Sequence, residues 1–227
     1  ETYYKILVPE KNSKGKGVRK GYLWVVVGIN TRMIYLLYDD GSRSEKVILN
    51  ELGGCKGIIQ SDGYSPYRKL ESDAYPHITR IPCLQHIKRK FIDCGEDEPD
   101  AKRIVELINT LYQNEHKHKI GVDGWTVEQN LVHRKKYAPD ILGEIKDVLD
   151  EIEERGDLLP KSELQEAITY LRNEWNAVVD IFNYGDTYLD NNIVERMNRY
   201  ISLSRKNSLF FGSHKGAERG AILYTIA

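Results

Sequence analysis

Two carboxylates that are far apart along the chain stand where a metal-dependent site could form. Asp62 directly follows Gly57 to Ser61, a short apolar run that predicts a central strand, and open α/β sheets bind ligands at the carboxyl ends of such strands. Glu195 lies in a helix predicted to start near Asn191 and shares one polar face with Asn198. Each acid also has a simpler interpretation, Asp62 as a turn residue and Glu195 as the partner of an arginine one turn later.

The elements that would position these acids follow an α/β pattern and then a helical one. The first three strands are short, rich in β-branched and aromatic residues, and predict an antiparallel meander. Ser42 and Glu45 have the spacing of a capping box, which predicts a helix that Gly53 and Gly54 end. The predicted strands are Tyr3 to Val8, Tyr22 to Ile29, Met33 to Tyr38, Gly57 to Ser61 and His77 to Ile81. From about Leu84 to Phe182 the spacing of apolar residues predicts helices only.

Composition indicates a folded protein of ordinary type. The 227 residues include 41% hydrophobic and 30% charged residues with a net charge of −1, and no run of eighteen apolar residues predicts a membrane span. The three cysteines are an odd number without paired spacing, which favours free thiols. We therefore expect a cytoplasmic protein that does not bind membranes.

The near-zero net charge hides an uneven distribution. Residues 11–20 contain five cations and no acid, and residues 196–219 contain six cations against Glu218 alone, whereas residues 140–157 are rich in acids. Lys88, Arg89 and Lys90 add a basic turn. The basic stretches predict contacts with phosphates, and solvated surface is the alternative interpretation.

Several separate segments occur in an order and spacing that resemble the insertion sequence 66 family of bacterial DDE transposases. The resemblance runs nearly from end to end, and it is specific because unrelated segments agree together. Its segments are Ile59-Gln60-Ser61-Asp62-Gly63-Tyr64, Cys83-Leu84-Gln85-His86-Ile87-Lys88-Arg89-Lys90-Phe91, Leu189-Asp190-Asn191-Asn192-Ile193-Val194-Glu195-Arg196, and Arg205-Lys206-Asn207-Ser208-Leu209-Phe210-Phe211-Gly212-Ser213, with Gly216-Ala217-Glu218-Arg219 and Leu159-Pro160-Lys161-Ser162.

The resemblance implies an α/β fold of the ribonuclease H-like kind. Its mixed sheet would have three antiparallel strands plus further parallel strands, interrupted by a large all-helical insertion. The implied domains are residues 1–92 as the first part of the core, 93–185 as the insertion, and 186–227 as the second part with the helix of the catalytic Glu.

The implied activity is metal-dependent phosphodiester cleavage and strand transfer at the ends of a mobile DNA element. Asp62 and Glu195 match two of the three catalytic, metal-binding acids, with Mg²⁺ or Mn²⁺ as cofactor and two ions in a complete site. The first acid stands in an Asp-Glu-Thr sequence in the family, and this chain begins at Glu1-Thr2. The matching Asp would precede Glu1, so we expect weak or single metal binding and no cutting by this chain.

The resemblance also implies partners. DNA, both element ends and target, is the expected ligand, and a homo-oligomer is expected in the DNA complex. The predicted DNA-binding residues are His86, Arg89, Lys90, Arg196, Arg199, Arg205, Lys206, Asn207 and Lys215.

Some residues carry open alternatives. Cys83 and His86 are one helical turn apart, but no second pair completes a zinc site, so we expect a structural or DNA-orienting role for His86 or a buried, hydrogen-bonded ring. Asp39 and Asp40 are the nearest substitutes for the first acid and are better interpreted as turn residues before Gly41. Phe210, Phe211 and Trp175 are predicted to be core residues rather than stacking platforms for bases.

Two other functions are consistent with the same residues. A non-catalytic DNA- or protein-binding remnant of a transposase would keep the fold without its first acid. A structure-selective nuclease of the same fold would cut DNA without joining strands.

Overall fold

A computed structural model describes residues 1–10 and 17–226 of the chain. Residues Lys11, Lys14 and Lys16 of the first predicted basic stretch lie outside this range. The chain divides into two compact units, of which unit 1 is Glu1–Gly54 with Asn192–Ala227 and unit 2 is Cys55–Asn191.

The elements alternate between strands and helices in the first third of the chain and are helical afterwards. In chain order they are β1 (Thr2–Leu7), β2 (Val18–Gly28), β3 (Met33–Leu37), α1 (Glu45–Leu52), β4 (Gly57–Ser61), a 3₁₀ helix (Ser65–Glu71), β5 (Ile78–Pro82), α2 (Leu84–Ile92), α3 (Pro99–Glu115), α4 (Val127–Arg155), α5 (Glu163–Ile181), α6 (Asn192–Asn207) and α7 (His214–Ile226).

Unit 1 contains an antiparallel sheet with the strand order β1-β2-β3. Thr2 pairs with Leu23 and Trp24 with Leu37, so the predicted meander is confirmed. Side chains alternate along β1 because successive residues of a strand point to opposite faces. Tyr4 is buried in a cluster with residues of β2, α6 and α7, and its neighbour Tyr3 is exposed.

Unit 2 contains the parallel pair β4 and β5. The predicted bounds of β4 are confirmed, and its last residue, Ser61, pairs with Pro82 at the end of β5. Parallel strands end at the same edge of a sheet, so residues 62 and 83 leave the sheet side by side. Among the described residues the expected antiparallel and parallel strands are both present, but they form two separate hydrogen-bonded sheets, one in each unit, where a single mixed sheet was expected.

Helices α2 to α5 enclose the main apolar core of unit 2. In α5, Leu164, Ile168, Leu171 and Val178 recur at steps of three, four and seven, and all are buried. Ser162 caps α5 by accepting a hydrogen bond from the Gln165 amide at 3.2 Å. The prediction that residues 84–182 are helical is confirmed for these elements.

One predicted cap is wrong. Helix α1 follows Ser44, whose side chain makes no capping bond, rather than Ser42. The Ser42 carbonyl accepts a hydrogen bond from the Trp24 indole at 3.1 Å, and the Ser42 hydroxyl accepts one from the Ser44 amide at 3.1 Å. These contacts keep Ser42 outside the helix.

Within the described residues, the helices are too short or too polar for any of them to traverse a lipid bilayer.

Candidate functional site

Asp62 is half-exposed and occupies the first position after β4. Its Oδ1 accepts a hydrogen bond from the Tyr64 amide at 3.1 Å, which closes a turn before the 3₁₀ helix. The turn interpretation and the site interpretation of Asp62 are thus compatible, since the turn orients the carboxylate at the strand edge.

Gly63 lets helix α5 approach the backbone beside Asp62. A β-carbon at position 63 would stand 2.0 Å from the hydroxyl oxygen of Tyr170, so only glycine fits without a shift. The Gly63 amide donates a hydrogen bond to this hydroxyl. Burial, together with the negative charges of Glu174 and Asp62, raises the pKa of Tyr170 to about 12, so the phenol keeps its proton at neutral pH.

A buried ion network holds the segment that follows Asp62. The Arg80 guanidinium on β5 donates to Glu174 of α5 at 2.5 Å and to Glu71 at the end of the 3₁₀ helix. The side chains of Arg80 and Glu174 are at most 1% exposed. Removing one member would leave a buried charge unpaired, which costs free energy. The network therefore holds the turn of Asp62 against β5 and α5.

Cys83 links the end of β5 to the segment that precedes α6. It is buried, and its sulfur accepts a hydrogen bond from the Asn191 amide at 3.4 Å. The Leu84 amide donates to the Leu189 carbonyl at 2.9 Å. Burial raises the pKa of the Cys83 thiol, which favours the neutral thiol as a packing group.

His86 lies half-buried one turn into α2, and its amide donates to the Cys83 carbonyl at 3.1 Å. Its predicted structural or DNA-orienting role stays a prediction.

Arg134 on α4 holds the same segment further upstream. Its side chain is fully buried and donates to the carbonyls of Ile181 at 3.2 Å, Tyr184 at 2.5 Å and Thr187 at 2.7 Å, while Glu115 of α3 neutralises its charge. Burial alone would raise the pKa of Glu115, but hydrogen bonds from Arg134 and Tyr137 outweigh it and lower the pKa.

Two amide side chains complete this anchoring. Asn130 donates to the Gly185 carbonyl at 2.8 Å, and Gln60 of β4 donates to the Tyr188 carbonyl at 2.8 Å. The chain is therefore held from residue 181 to residue 191, which fixes where it leaves unit 2 immediately before α6.

In unit 1, Glu195 occupies the first turn of α6 and is exposed. Asn198 and Ile201 are the buried residues of this helix, so the expected single polar face is divided between an exposed acid and a buried amide. The buried Oδ1 of Asn198 has no hydrogen-bond partner among the described residues.

The predicted DNA-binding cations have different surroundings. Arg89 and Lys90, in the last turn of α2, are exposed, and Lys90 lies 6.0 Å from the ring of Tyr170. Arg205 instead donates to the Tyr3 carbonyl at 2.7 Å and stacks over the Tyr3 ring at 4.5 Å. The remaining predicted residues of unit 1 are exposed, namely Arg196, Arg199, Lys206, Asn207 and Lys215.

Asp40 is confirmed as a turn residue. It has a positive φ of 46° before Gly41, and its carboxylate lies 3.0 Å from His214 at the start of α7.

One expectation about the core is wrong. Phe211 packs against Tyr4 with ring centroids 4.3 Å apart, but Phe210 is 48% exposed. Trp175 packs against the core of unit 2 as expected.

Sequence reasoning missed Tyr170, Arg80 and Glu174. A signal was available for Glu174, because it lies among the buried apolar residues of α5, where a charged residue needs a partner. Arg80 inside a predicted strand gave the same signal. Tyr170 is far from Gly63 in sequence, and only their contact identifies Tyr170.

No group of three or more His, Cys, Asp or Glu side chains that could hold a metal ion occurs within residues 1–10 and 17–226. Asp62 and Glu195 lie in different units, so each is positioned by its own surroundings.

Taken together, these features define an α/β protein with one carboxylate at a strand end and another on a late helix among arginines. Residues 1–219 match the Transposase IS66 family. The chain belongs to this family of transposases, which are enzymes that process DNA.

Its relatives include three uncharacterized proteins of Sinorhizobium fredii strain NBRC 101917 / NGR234. Protein y4jD is 30% identical over 192 residues, which are 82% of this chain and 36% of that protein. Protein y4qI is 28% identical over 222 residues, or 91% of this chain and 40% of that protein. Protein y4hP is 27% identical over 208 residues, or 84% and 36%. The chain thus spans at most two fifths of these relatives. No solved structure matches it.

Proposed function

We propose that this chain is the catalytic region of a DNA transposase that cleaves and joins phosphodiester bonds at the ends of a mobile element. The proposal includes a ribonuclease H-like core, a helical insertion at residues 93–185, and dependence on Mg²⁺ or Mn²⁺. The family membership supports it, as does the order of three antiparallel strands, a helix and two parallel strands separated by a helix.

The observation that carries the proposal is that β1 lies alongside the end of α6 and the residues that follow it within unit 1. Their contacts occur in the same order along the two segments, and the bridge between Ile6 and Phe211 is parallel. The Leu7 amide bonds the Phe211 carbonyl at 2.9 Å, the Tyr4 hydroxyl bonds the Ser208 carbonyl at 2.7 Å, and Arg205 reaches the Tyr3 carbonyl. Continuing β1 backwards therefore leads along α6 toward its first turn, where Glu195 lies.

The rise per residue of a strand and of a helix shows which residues of α6 an acid before Glu1 would lie beside. It would be three residues before Tyr3, or about 10 Å along a strand with a rise of about 3.3 Å per residue. The same distance along a helix, at about 1.5 Å per residue, corresponds to about seven residues before Arg205, which is the level of Asn198. Glu195 is one turn further on.

The alternation of side chains along β1 also places this acid on the side of α6. Tyr4 and Ile6 are buried, and Tyr4 packs with Ile201 of α6. Because side chains alternate with period two, the residue before Glu1 shares the face of Tyr4 and Ile6. An Asp there would face α6, so two of the three acids would belong to unit 1.

The available donors fit an oxygen-preferring divalent cation. Asp62 and Glu195 are carboxylates that solvent reaches, and Asn198 adds a buried carbonyl oxygen without a partner among the described residues. Asp62, Glu195 and an Asp before Glu1 would hold the ions. When bound, a pair of such ions stabilises the charge on the attacking and leaving oxygens of a phosphodiester.

The contribution of the protein is to orient the acids and bind DNA. The Tyr64 amide and the contact of Tyr170 with Gly63 set the direction of Asp62. Arg89 and Lys90 on α2, and Arg196 and Arg199 on α6, are exposed and would bind phosphates without reading sequence. A homo-oligomer is part of the proposal, since two element ends must be cut and joined.

The test compares the full chain carrying Asp directly before Glu1 with the same chain carrying Asn there. The readouts are Mn²⁺ affinity by titration calorimetry and nicking of supercoiled plasmid. We expect the Asp form to bind Mn²⁺ and nick, and the Asn form to nick at least about 100-fold more slowly, because a carboxylate ligand of the ions is lost. Asp62→Asn and Glu195→Gln in the Asp form should lose activity to a similar extent.

Glu218→Gln is the matched control, because Glu218 is an exposed acid of unit 1 that has no assigned role. It should nick like the unaltered Asp form. Equal nicking by the Asp and Asn forms would overturn the proposal. DNA binding by the Asp form without Mn²⁺ binding or nicking would instead establish the non-catalytic alternative.

A further inference from the structure

The loop at residues 208–213, between α6 and α7, presents two large apolar side chains to solvent. Leu209 is 66% exposed and Phe210 is 48% exposed. Exposed apolar side chains that are adjacent and held in place commonly mark a binding surface.

The loop is fixed on both sides of these residues. Before them, the Ser208 carbonyl accepts the Tyr4 hydroxyl at 2.7 Å. After them, the Phe211 amide donates to the Lys5 carbonyl at 2.8 Å, and the Phe211 carbonyl accepts from the Leu7 amide at 2.9 Å. The exposure of Leu209 and Phe210 is therefore imposed by the anchored backbone.

The packing of Phe211 explains why its neighbour points outward. The Phe211 ring lies against Tyr4, and a β-carbon at Gly220 of α7 would stand 2.5 Å from it. Gly220 thus makes room for the Phe211 ring in the core, while Phe210, the residue directly before Phe211, remains exposed.

Cations surround the two exposed side chains in sequence and on the surface of unit 1. From Arg196 to Ala217 the sequence contains no Asp or Glu. Acids on the neighbouring segments include Asp40, which contacts His214, and Glu218, which is exposed on α7. The exposed cations on the neighbouring segments are Lys5, Lys20, Lys206, Lys215 and Arg219.

We propose that Leu209 and Phe210 form an apolar wedge that inserts between bases of bound DNA while the flanking cations hold the phosphates. This inference rests on the proposed function, because it needs DNA as the ligand. DNA fits this surface since it places apolar base faces between two lines of negative charge, and apolar side chains inserted at a base step unstack and kink the duplex. Pyrimidine–purine steps resist this least.

The proposed role of Leu209 and Phe210 differs from that of the cations. Phosphate contacts give affinity that depends on salt, whereas insertion of an apolar side chain opens a step and adds a contribution that salt changes little.

The experiment uses a DNA duplex of about 30 base pairs with 2-aminopurine beside a central TA step, since 2-aminopurine fluorescence rises when the base leaves the stack. We expect the native chain to bind with salt-dependent affinity and to raise the fluorescence several-fold at saturation. Leu209→Ala with Phe210→Ala should abolish the rise and weaken binding about tenfold, within the range for loss of an aromatic contact to a base, with an unchanged salt slope.

Ile222→Ala with Leu223→Ala is the matched control. These side chains of α7 are 55% and 66% exposed and lie outside the loop, so both readouts should stay native. Lys206→Ala should lower the salt slope and leave the fluorescence at saturation unchanged. Because all the altered side chains are exposed, thermal unfolding should show that each variant folds.

The outcomes separate the two proposals. Native DNA binding without a fluorescence rise, or a rise that survives the loop substitutions, overturns the wedge and leaves the transposase proposal standing. Lack of DNA binding by the native chain overturns both. Binding to anionic phosphatidylserine vesicles that requires Leu209 and Phe210, without DNA binding, would assign the surface to a membrane and also overturn the wedge.

Discussion

The two units differ in where they place charged side chains. Within the described residues, the four buried charged residues all belong to unit 2, and they are Arg80, Asp100, Arg134 and Glu174. In unit 1 the acid and the arginines with proposed roles on α6, Glu195, Arg196 and Arg199, are exposed.

The difference follows from what each unit must do. Burying a charge costs free energy unless a partner and hydrogen bonds compensate it, so enclosed ion pairs indicate backbone that must be held in one arrangement. In unit 2 the enclosed arginines hold the turn of Asp62 and the segment before α6. Exposed charges hold little backbone but can reach a ligand, which suits a binding surface.

The largest effect is expected at Arg134, and the contrast between the two units would fail if Arg134 could be replaced with little loss in the free energy of unfolding. Arg134→Met removes the bonds to the segment at residues 181–187 and leaves Glu115 half-buried without its cation. We expect the free energy of unfolding to fall by about 3–5 kcal/mol in urea denaturation, the usual cost of separating a buried pair. Lys136→Met, an exposed change on the same helix, should stay within about 0.5 kcal/mol. Similar values for both variants would contradict the role of Arg134.

The approach of α5 to the Asp62 turn can be tested at Gly63. Gly63→Ala forces a β-carbon against Tyr170 and should destabilise the protein by about 1–3 kcal/mol, the typical cost of overpacking. Tyr170→Ala should remove this additional cost, whereas Tyr170→Phe should not, because the ring carbon Cζ would still lie 2.4 Å away. A double-mutant cycle by urea denaturation measures the coupling, and strictly additive effects would show that the two residues do not meet.

Acid should weaken unit 2 through Glu115. Its pKa in the folded state is below the ordinary value of 4.5, so its contribution is present above pH 4.5 and is lost as the pH falls from 4.5 through the folded pKa. Stability measured against pH should decline over this range by less than the effect of Arg134→Met. Glu115→Gln has no carboxylate to take up a proton, so its stability should decline less, and parallel curves for both proteins would rule the explanation out.

The smallest effects on stability are expected on α6. Arg196→Ala should change the free energy of unfolding by no more than about 0.5 kcal/mol yet lower the salt slope of DNA affinity by about one. Arg205→Ala should cost about 0.5–1 kcal/mol, because Arg205 stacks on Tyr3, and should change the slope less. Thermal unfolding and binding at several salt concentrations measure both, and the reverse ranking would assign the phosphate contact to Arg205.

Much of the secondary structure could be predicted because it depends on local patterns. The run at residues 57–61 is apolar, short and bounded by turn residues, and its predicted bounds match β4. The stripe of α5 was recognisable from its spacing alone. The cap of α1 was not, because two serines compete for it locally and the contact of Ser42 with Trp24, eighteen residues earlier, decides between them.

The residues of the candidate site also divide into those that could be recognised from sequence and those that could be recognised only from contacts. Asp62 and Glu195 were identifiable from their places in sequence segments, and their joint role remains a proposal. Tyr170, Gly63, Arg80 and Glu174 could be recognised as a set only from contacts over about a hundred residues of chain. Phe210 and Phe211 are adjacent and chemically identical, so no local pattern shows which one enters the core.

By itself, the sequence determined the kinds and order of the elements, the acids that could bind a metal, and the resemblance to a transposase family. These depend on residue types at short spacings, which the chain carries whatever its final shape. The tertiary structure decided which charges are enclosed, which phenol meets Gly63, and which phenylalanine faces solvent. Those outcomes depend on contacts between distant segments, where burial and pairing are settled by packing rather than by neighbouring residues.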